Sequence, residues 1–202
     1  MITVPVEAHL ITLIVDVQRV VTRRIQVGRT TQTRRERVTE QREILPGETE
    51  ASVRTGVTQA NQILAPTDIS FSIASISTQR INAPQNREVV TENGFLFLTR
   101  QYPARRGARL FVVRQFSGQE GGQAIEAQRV CILKHLGNPL FGKTLAHEFG
   151  HLLALDHVTR GTSARYNLMW PGLRAGDNIE PGQIRIARES ALARHFRAQR
   201  GT

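Results

Sequence analysis

Apolar residues in this chain fall into runs of two periods. Strand-type runs come first. His9-Leu10-Ile11-Thr12-Leu13-Ile14-Val15-Asp16-Val17 is dense in β-branched residues and predicts a strand, with His9 as a structural residue at its start. Ile69-Ser70-Phe71-Ser72-Ile73-Ala74-Ser75-Ile76 alternates apolar with small polar residues, the pattern of a half-buried strand. Arg109-Leu110-Phe111-Val112-Val113 and Val130-Cys131-Ile132-Leu133 predict two more, and Phe95-Leu96-Phe97-Leu98 reads as another after the Asn93-Gly94 turn signal. Helical spacing appears in three places. Val53, Val57, Ala60 and Leu64 mark a helix from Glu48 to Leu64, stopped by Pro66. Leu145, Phe149, Leu152 and Leu153 form the apolar face of a second, opening near Gly142-Lys143-Thr144. Ile184, Ala187, Ala191 and Leu192 stripe a final helix ending near Ala198, with Asn178 as cap and Pro181 in the first turn.

Two stretches stay open. From Gln18 to Leu45 the chain is polar and rich in Arg and Thr, with Val27-Gly28 as a turn candidate; a hairpin and a loop both fit. Gly121 to Gln128 is the candidate edge strand of the sheet, with a Gly-rich loop as the alternative. An edge strand matters because its free N–H and C=O groups can dock an extended peptide by strand addition.

The chemistry concentrates in His147-Glu148-Phe149-Gly150-His151-Leu152-Leu153-Ala154-Leu155-Asp156-His157. Imidazoles four positions apart on a helix face the same way, about one turn from each other. That separation suits two nitrogen ligands of one tetrahedral zinc ion. Glu148 directly follows the first and can reach a water held on the metal. His157, six residues past His151, can close the set once the chain turns back. Three ligands, one base and one open position make up a catalytic zinc site, whereas a purely structural site is normally closed and needs no base. His135 and His195 have no partner at ligand spacing and read as structural or surface residues. Asp156 adjoins His157, but neighbouring positions seldom face the same way, so it is left out of the site.

This motif resembles the metzincin clan of zinc endopeptidases, whose signature is H-E-x-x-H-x-x-G-x-x-H followed by a Met-containing turn. Tyr166-Asn167-Leu168-Met169-Trp170-Pro171 is similar to that turn, and the Leu-Asp-His and Leu-Met-x-Pro runs are most similar to the matrixin branch. The resemblance implies His147, His151 and His157 as ligands of one catalytic zinc, Glu148 as general base and acid, and Met169 as the floor beneath the metal. It further implies Tyr166 as a candidate oxyanion donor, and Trp170 and Pro171 as a wall of the substrate pocket. Its implied fold is α/β (α+β): a twisted mixed sheet, mostly parallel with one antiparallel edge, the zinc-bearing helix, and a small C-terminal lobe with a terminal helix. Residues 1–202 would then be one catalytic domain, with an upper lobe of about 1–154 and a lower lobe of about 155–202. One departure stands out. The family's mid-motif Gly, which lets the backbone leave the helix left-handed, is Ala154 here.

Composition narrows the alternatives. With 202 residues, 40% of them hydrophobic, the chain can bury one proper core. No apolar run reaches the ~18 residues of a transmembrane helix, and the first residues lack a signal-peptide pattern. Localisation is therefore read two ways: extracellular for a trimmed mature domain, intracellular otherwise. Cys131 is the single cysteine, expected as a buried strand residue. The net charge is +10; Lys134 and Lys143 are the only lysines, so the other 25 of 27 basic residues are Arg. Clusters at Arg23-Arg24, Arg34-Arg35-Glu36-Arg37 and Arg105-Arg106 read as solvated surface, and no nucleic-acid motif accompanies them. The expected partner is a protein or peptide substrate, met by a monomer, with no specific nucleic acid and no membrane span. The competing readings are a zinc-binding interaction module or inactive relative, and a basic nucleic-acid-binding protein whose histidines are incidental.

Overall fold

The computed structural model describes residues 1–27, 30–83, 88–118, 121–137, 140–161, 163–172 and 176–199. Its sheet is organised around one very long strand, β1 (Ile2–Val27). The first half of β1 pairs in parallel with β3 (Ile69–Asn82) on one side and β4 (Ala108–Val113) on the other. Beyond β4 come β6 (Val130–Lys134), parallel to β4, and β5 (Gly122–Ile125), antiparallel to β6 and at the edge. The expected mostly parallel sheet with an antiparallel edge is therefore present, and the edge strand falls inside the Gly121–Gln128 candidate.

The sheet is covered on both faces, which explains why β4 and β6 read as unbroken apolar runs. Leu110, Val112, Cys131 and Leu133 face one core with α1 (Glu50–Leu64) and α3 (Leu140–Leu152). Phe111, Val113, Val130 and Ile132 face the other with α2 (Glu92–Gln101). Cys131 is fully buried as expected, and burial foremost, with the nearby Glu148 second, pushes its thiol well above the usual range. Thr49 caps α1 through a reciprocal bond with Ser52. The stacked rings of Phe71 and Phe149, 3.9 Å between centroids, lock α3 against β3. His9 is structural as expected: its Nδ1 lies 2.8 Å from Ser77 Oγ, and its ring packs by Tyr102 and Phe111.

Four local expectations need correction. Phe95–Leu98 is not a strand but the body of α2. Thr91 caps that helix by accepting from Gly94 N–H, so Asn93-Gly94 lies in its first turn, and Phe95 and Leu98 bury one face. A short apolar run cannot by itself distinguish the two periods. The final helix is two: α4 (Pro181–Glu189) and α5 (Ala191–Ala198). Ser190, extended at ψ 154°, ends the first and caps the second through Ala193 N–H. Asn178 caps neither; Glu180 holds that position for α4. The motif-bearing α3 begins two residues earlier than expected, at Leu140.

Gln18–Leu45 is resolved in favour of the hairpin. The second half of β1 pairs antiparallel with β2 (Thr30–Ile44), from Leu13↔Ile44 to Val27↔Thr30. Gly28 of the expected turn lies outside the described residues. Among the described residues, no helix is long and apolar enough to cross a membrane.

Candidate metal centre

Helix α3 presents His147 and His151 on one face, and the chain then reverses in a Schellman turn. Leu155 N–H donates to Gly150 O and Ala154 N–H to His151 O, each at 3.0 Å. Ala154 sits at φ 61°, the left-handed conformation that its place in the motif demands. The reversal returns His157 over the helix face. Its Nε2 lies 3.2 Å from His147 Nε2 and 3.1 Å from His151 Nε2.

The tautomers follow from the outer partners. His147 Nδ1 is 2.7 Å from Leu168 O, and His151 Nδ1 is 2.8 Å from Leu155 O. A carbonyl oxygen only accepts, so both Nδ1 atoms carry the proton and both Nε2 atoms turn a lone pair inward. Burial, foremost, holds both rings below the usual imidazole range, His151 at about 4 with further help from His147 and His157. They are neutral at physiological pH, the form that ligates metal. Three converging Nε2 atoms share at most one N–H, on His157, which can serve one neighbour fully. A cation at their centre satisfies all three. A tetrahedral zinc with Zn–N bonds of 2.0–2.1 Å spaces its nitrogens about 3.3 Å apart, close to the two separations seen. The donor set and its spacing therefore fit zinc.

Glu148 sits one step along α3 and is 4% exposed. Its Oε2 has no hydrogen-bond partner among the described residues, and burial raises its carboxyl to about 8. A divalent cation beside it would restore the charged form. Strand β5 passes directly over this group: a Cβ added to Gly122 would meet Glu148 Oε1 at 3.0 Å and Ile132 O at 2.7 Å. Glycine thus lets the edge strand approach the acid closely.

The residues together line a cleft of about 580 Å³. Gly122, Gln123 and Ala124 of β5 form one wall, His147, Glu148, His151 and His157 the floor, and Pro171 and Gly172 another side. Met169 is fully buried under α3, so tightly that a Cβ on Gly150 would stand 2.6 Å from its Sδ. Val158 N–H bonds to Met169 O at 2.9 Å, coupling the residue after His157 to this turn. Tyr166 lies elsewhere. It is half-exposed, its hydroxyl accepts from Arg165 at 2.8 Å, and the Arg165 guanidinium covers its ring. Trp170 is half-buried, and neither it nor Tyr166 is among the described residues lining the cleft.

Sequence reading missed the support beneath the turn. Asn167 Oδ1 accepts from Met169 N–H at 2.8 Å, while its amide exchanges bonds with Gln183 of α4 at 2.8 and 3.3 Å. Gln183 also accepts from Glu180 N–H, completing the cap of α4. The available signal was the spacing of Glu180 and Gln183, a capping-box interval. His135, read as a structural or surface residue, pairs through Nδ1 with the buried Glu48 at 2.7 Å.

No protein-family model matches the chain, and no curated protein matches it. Among solved structures, the chain is similar to archaemetzincin from Methanopyrus kandleri, with 14% identity and a TM-score of 0.54. The match covers 93% of this chain and 94% of that one. At this identity the likeness is one of fold: a mixed α/β sheet with flanking helices, end to end. It carries no assignment to the matrixin branch.

Proposed function

We propose that the chain is a zinc-dependent endopeptidase, a single catalytic domain over 1–202 divided near residue 155 into a sheet-bearing upper lobe and a smaller lower lobe. The observation that carries this reading is the convergence of three Nε2 atoms, two with their tautomers fixed by carbonyls, beside a buried carboxyl whose Oε2 lacks a partner among the described residues. Zinc held by His147, His151 and His157 would supply Lewis acidity, acidifying a water and polarising a carbonyl oxygen. The remaining work falls to the chain's own groups. Strand β5 offers its open edge to an extended peptide, fixing the scissile bond across the cleft. Glu148 takes the proton of the attacking water at its carboxylate and returns it to the leaving amine. Met169 and the Asn167–Gln183 pair hold the floor rigid. Residues Leu155-Asp156-His157 and Leu168-Met169-Trp170-Pro171 support placement near the matrixin branch.

The alternative is a zinc-binding module without catalysis. Glu148 speaks against it: a buried carboxyl with one oxygen unpaired among the described residues is costly unless it has a task. Glu148→Gln separates the two. It should leave zinc content at one per chain and lower cleavage of a mixed peptide library by about 10²–10⁴-fold. Unchanged cleavage would remove Glu148 from the mechanism. Chelator-insensitive cleavage would remove the metal.

A further inference from the structure

The β1–β2 hairpin leaves the sheet after Val15 and continues as a two-stranded ribbon to Val27 and Thr30. Twelve residues of strand span roughly 40 Å. From Asp16 onward nearly every described side chain on both strands is exposed. A lone two-stranded ribbon gains little from its own burial, and the cleft does not use it.

Pairing register sorts its arginines by face. One face carries Arg19, Arg23, Arg34 and Arg42, with Glu36 and Glu40 among them. Each of these arginines has a carboxylate: Glu40 at 3.9 Å, Glu36 at 3.6 and 3.7 Å, and Glu88 at 3.4 Å. The other face carries Arg24, Arg35 and Arg37, each exposed and without an ion pair among the described residues. Arg35 stands opposite Thr22, Arg37 opposite Val20 and Arg24 opposite Thr33. The remainder of that face beyond Asp16 is Thr and Gln. Four arginines thus share three carboxylates on one side of the ribbon, while the three on the other have none, with Thr, Gln and Val20 around the guanidiniums. Ribbon solubility alone does not call for this division.

We infer that the Arg24–Arg35–Arg37 face of the β1–β2 ribbon binds the phosphate backbone of B-form DNA, independently of base sequence. Charge complementarity selects a polyanion. Shape selects the duplex, because the major groove of B-DNA, ~12 Å wide, admits a two-stranded β-ribbon. The major groove of A-form RNA is too narrow for side chains to read. Single strands are recognised by stacking on aromatic rings, and residues 16–43 contain no Phe, Trp, Tyr or His. Arg, Thr and Gln are residues that hydrogen-bond phosphate oxygens.

A protein of net charge +10 attracts any polyanion, so the test must be specific to a face. The zinc-loaded protein, residues 1–202, is titrated into a labelled, mixed-sequence DNA duplex at several salt concentrations. An A-form RNA duplex and poly-glutamate serve as competitors. Two triple variants carry the same charge change: Arg24→Gln/Arg35→Gln/Arg37→Gln and Arg19→Gln/Arg23→Gln/Arg34→Gln. The first should weaken DNA binding about 100-fold and reduce the salt slope by about three. The second should change it by less than about tenfold, and both should unfold at the wild-type temperature, as exposed substitutions do. Equal losses in the two triples would overturn the inference. So would RNA or poly-glutamate displacing DNA at equal or lower concentration, the latter pointing to an acidic protein partner. Failure of the wild-type protein to bind the duplex would do so outright.

Discussion

Ala154 carries a cost that the fold tolerates. A non-glycine residue at φ 61° is strained by about 1–2 kcal/mol. Gly in its place relieves that strain but loosens the unfolded chain by about 0.4–1 kcal/mol. The balance favours Ala154→Gly by about 0.5–1 kcal/mol, expected as a higher urea midpoint at unchanged slope, with zinc affinity unaltered. His9 offers a second residue-level test. Burial, foremost, with Arg109 adding and Glu7 opposing, lowers its pKa below 6.5, and its Nε2 is buried without a partner among the described residues. Below pH 6.5 the unfolded chain takes up a proton that the native ring refuses, so this site's contribution declines as the solution is acidified. His9→Phe, fitting between Tyr102 and Phe111, should flatten the stability–pH curve below pH 6.5. An equal acid slope in both proteins would exclude His9 as the source.

At the scale of elements, the Met-containing turn and α4 form one unit. Asn167→Ala would strand Gln183 and the Met169 N–H in a buried setting, at a cost of about 2–3 kcal/mol. Combined with Gln183→Ala, the loss should fall short of additive by at least about 0.5 kcal/mol; strict additivity in chemical denaturation would uncouple the two elements. The sequence made β3, α1 and α3 legible because each repeats its apolar residues at a single clean period, and β4 and β6 because their apolar runs are short and rich in β-branched residues. It made the histidine triad legible because ligand spacing on a helix is geometric. The α2 segment was not legible. Four apolar residues after Asn-Gly suit either period, and the Thr91 cap decides between them. The break at Ser190 lies within a continuous helical stripe, and only the backbone there reveals it. The hairpin was ambiguous for a related reason: a ribbon exposed on both faces has no buried side to impose alternation. Nor could the faces of its arginines be assigned before the register was known. Asn167 and Gln183, sixteen positions apart, carry no local pattern that announces their pairing.

For the molecule as a whole, the three nitrogens converge only after folding, so a zinc ion held by them would be a ligand of the native state alone. Free zinc at about a thousand times its dissociation constant should add about 4 kcal/mol. For a chain of this length that corresponds to a rise of about 10 °C in Tm. A melting curve indifferent to both zinc and chelator would show that the native triad holds no metal. The triad also draws on two separate stretches of the chain. Two of its rings and the acid belong to a helix that packs on the N-terminal sheet. The third ring and the sulfur beneath come from residues 157–169, whose turn is fastened by α4. A ribosome that has delivered the chain only as far as residue 156 has made a sheet, a helix and a carboxylate, but no cradle for a metal. Any cutting power the triad confers therefore waits on residues 157–183, which follow the sheet and the first two rings along the chain.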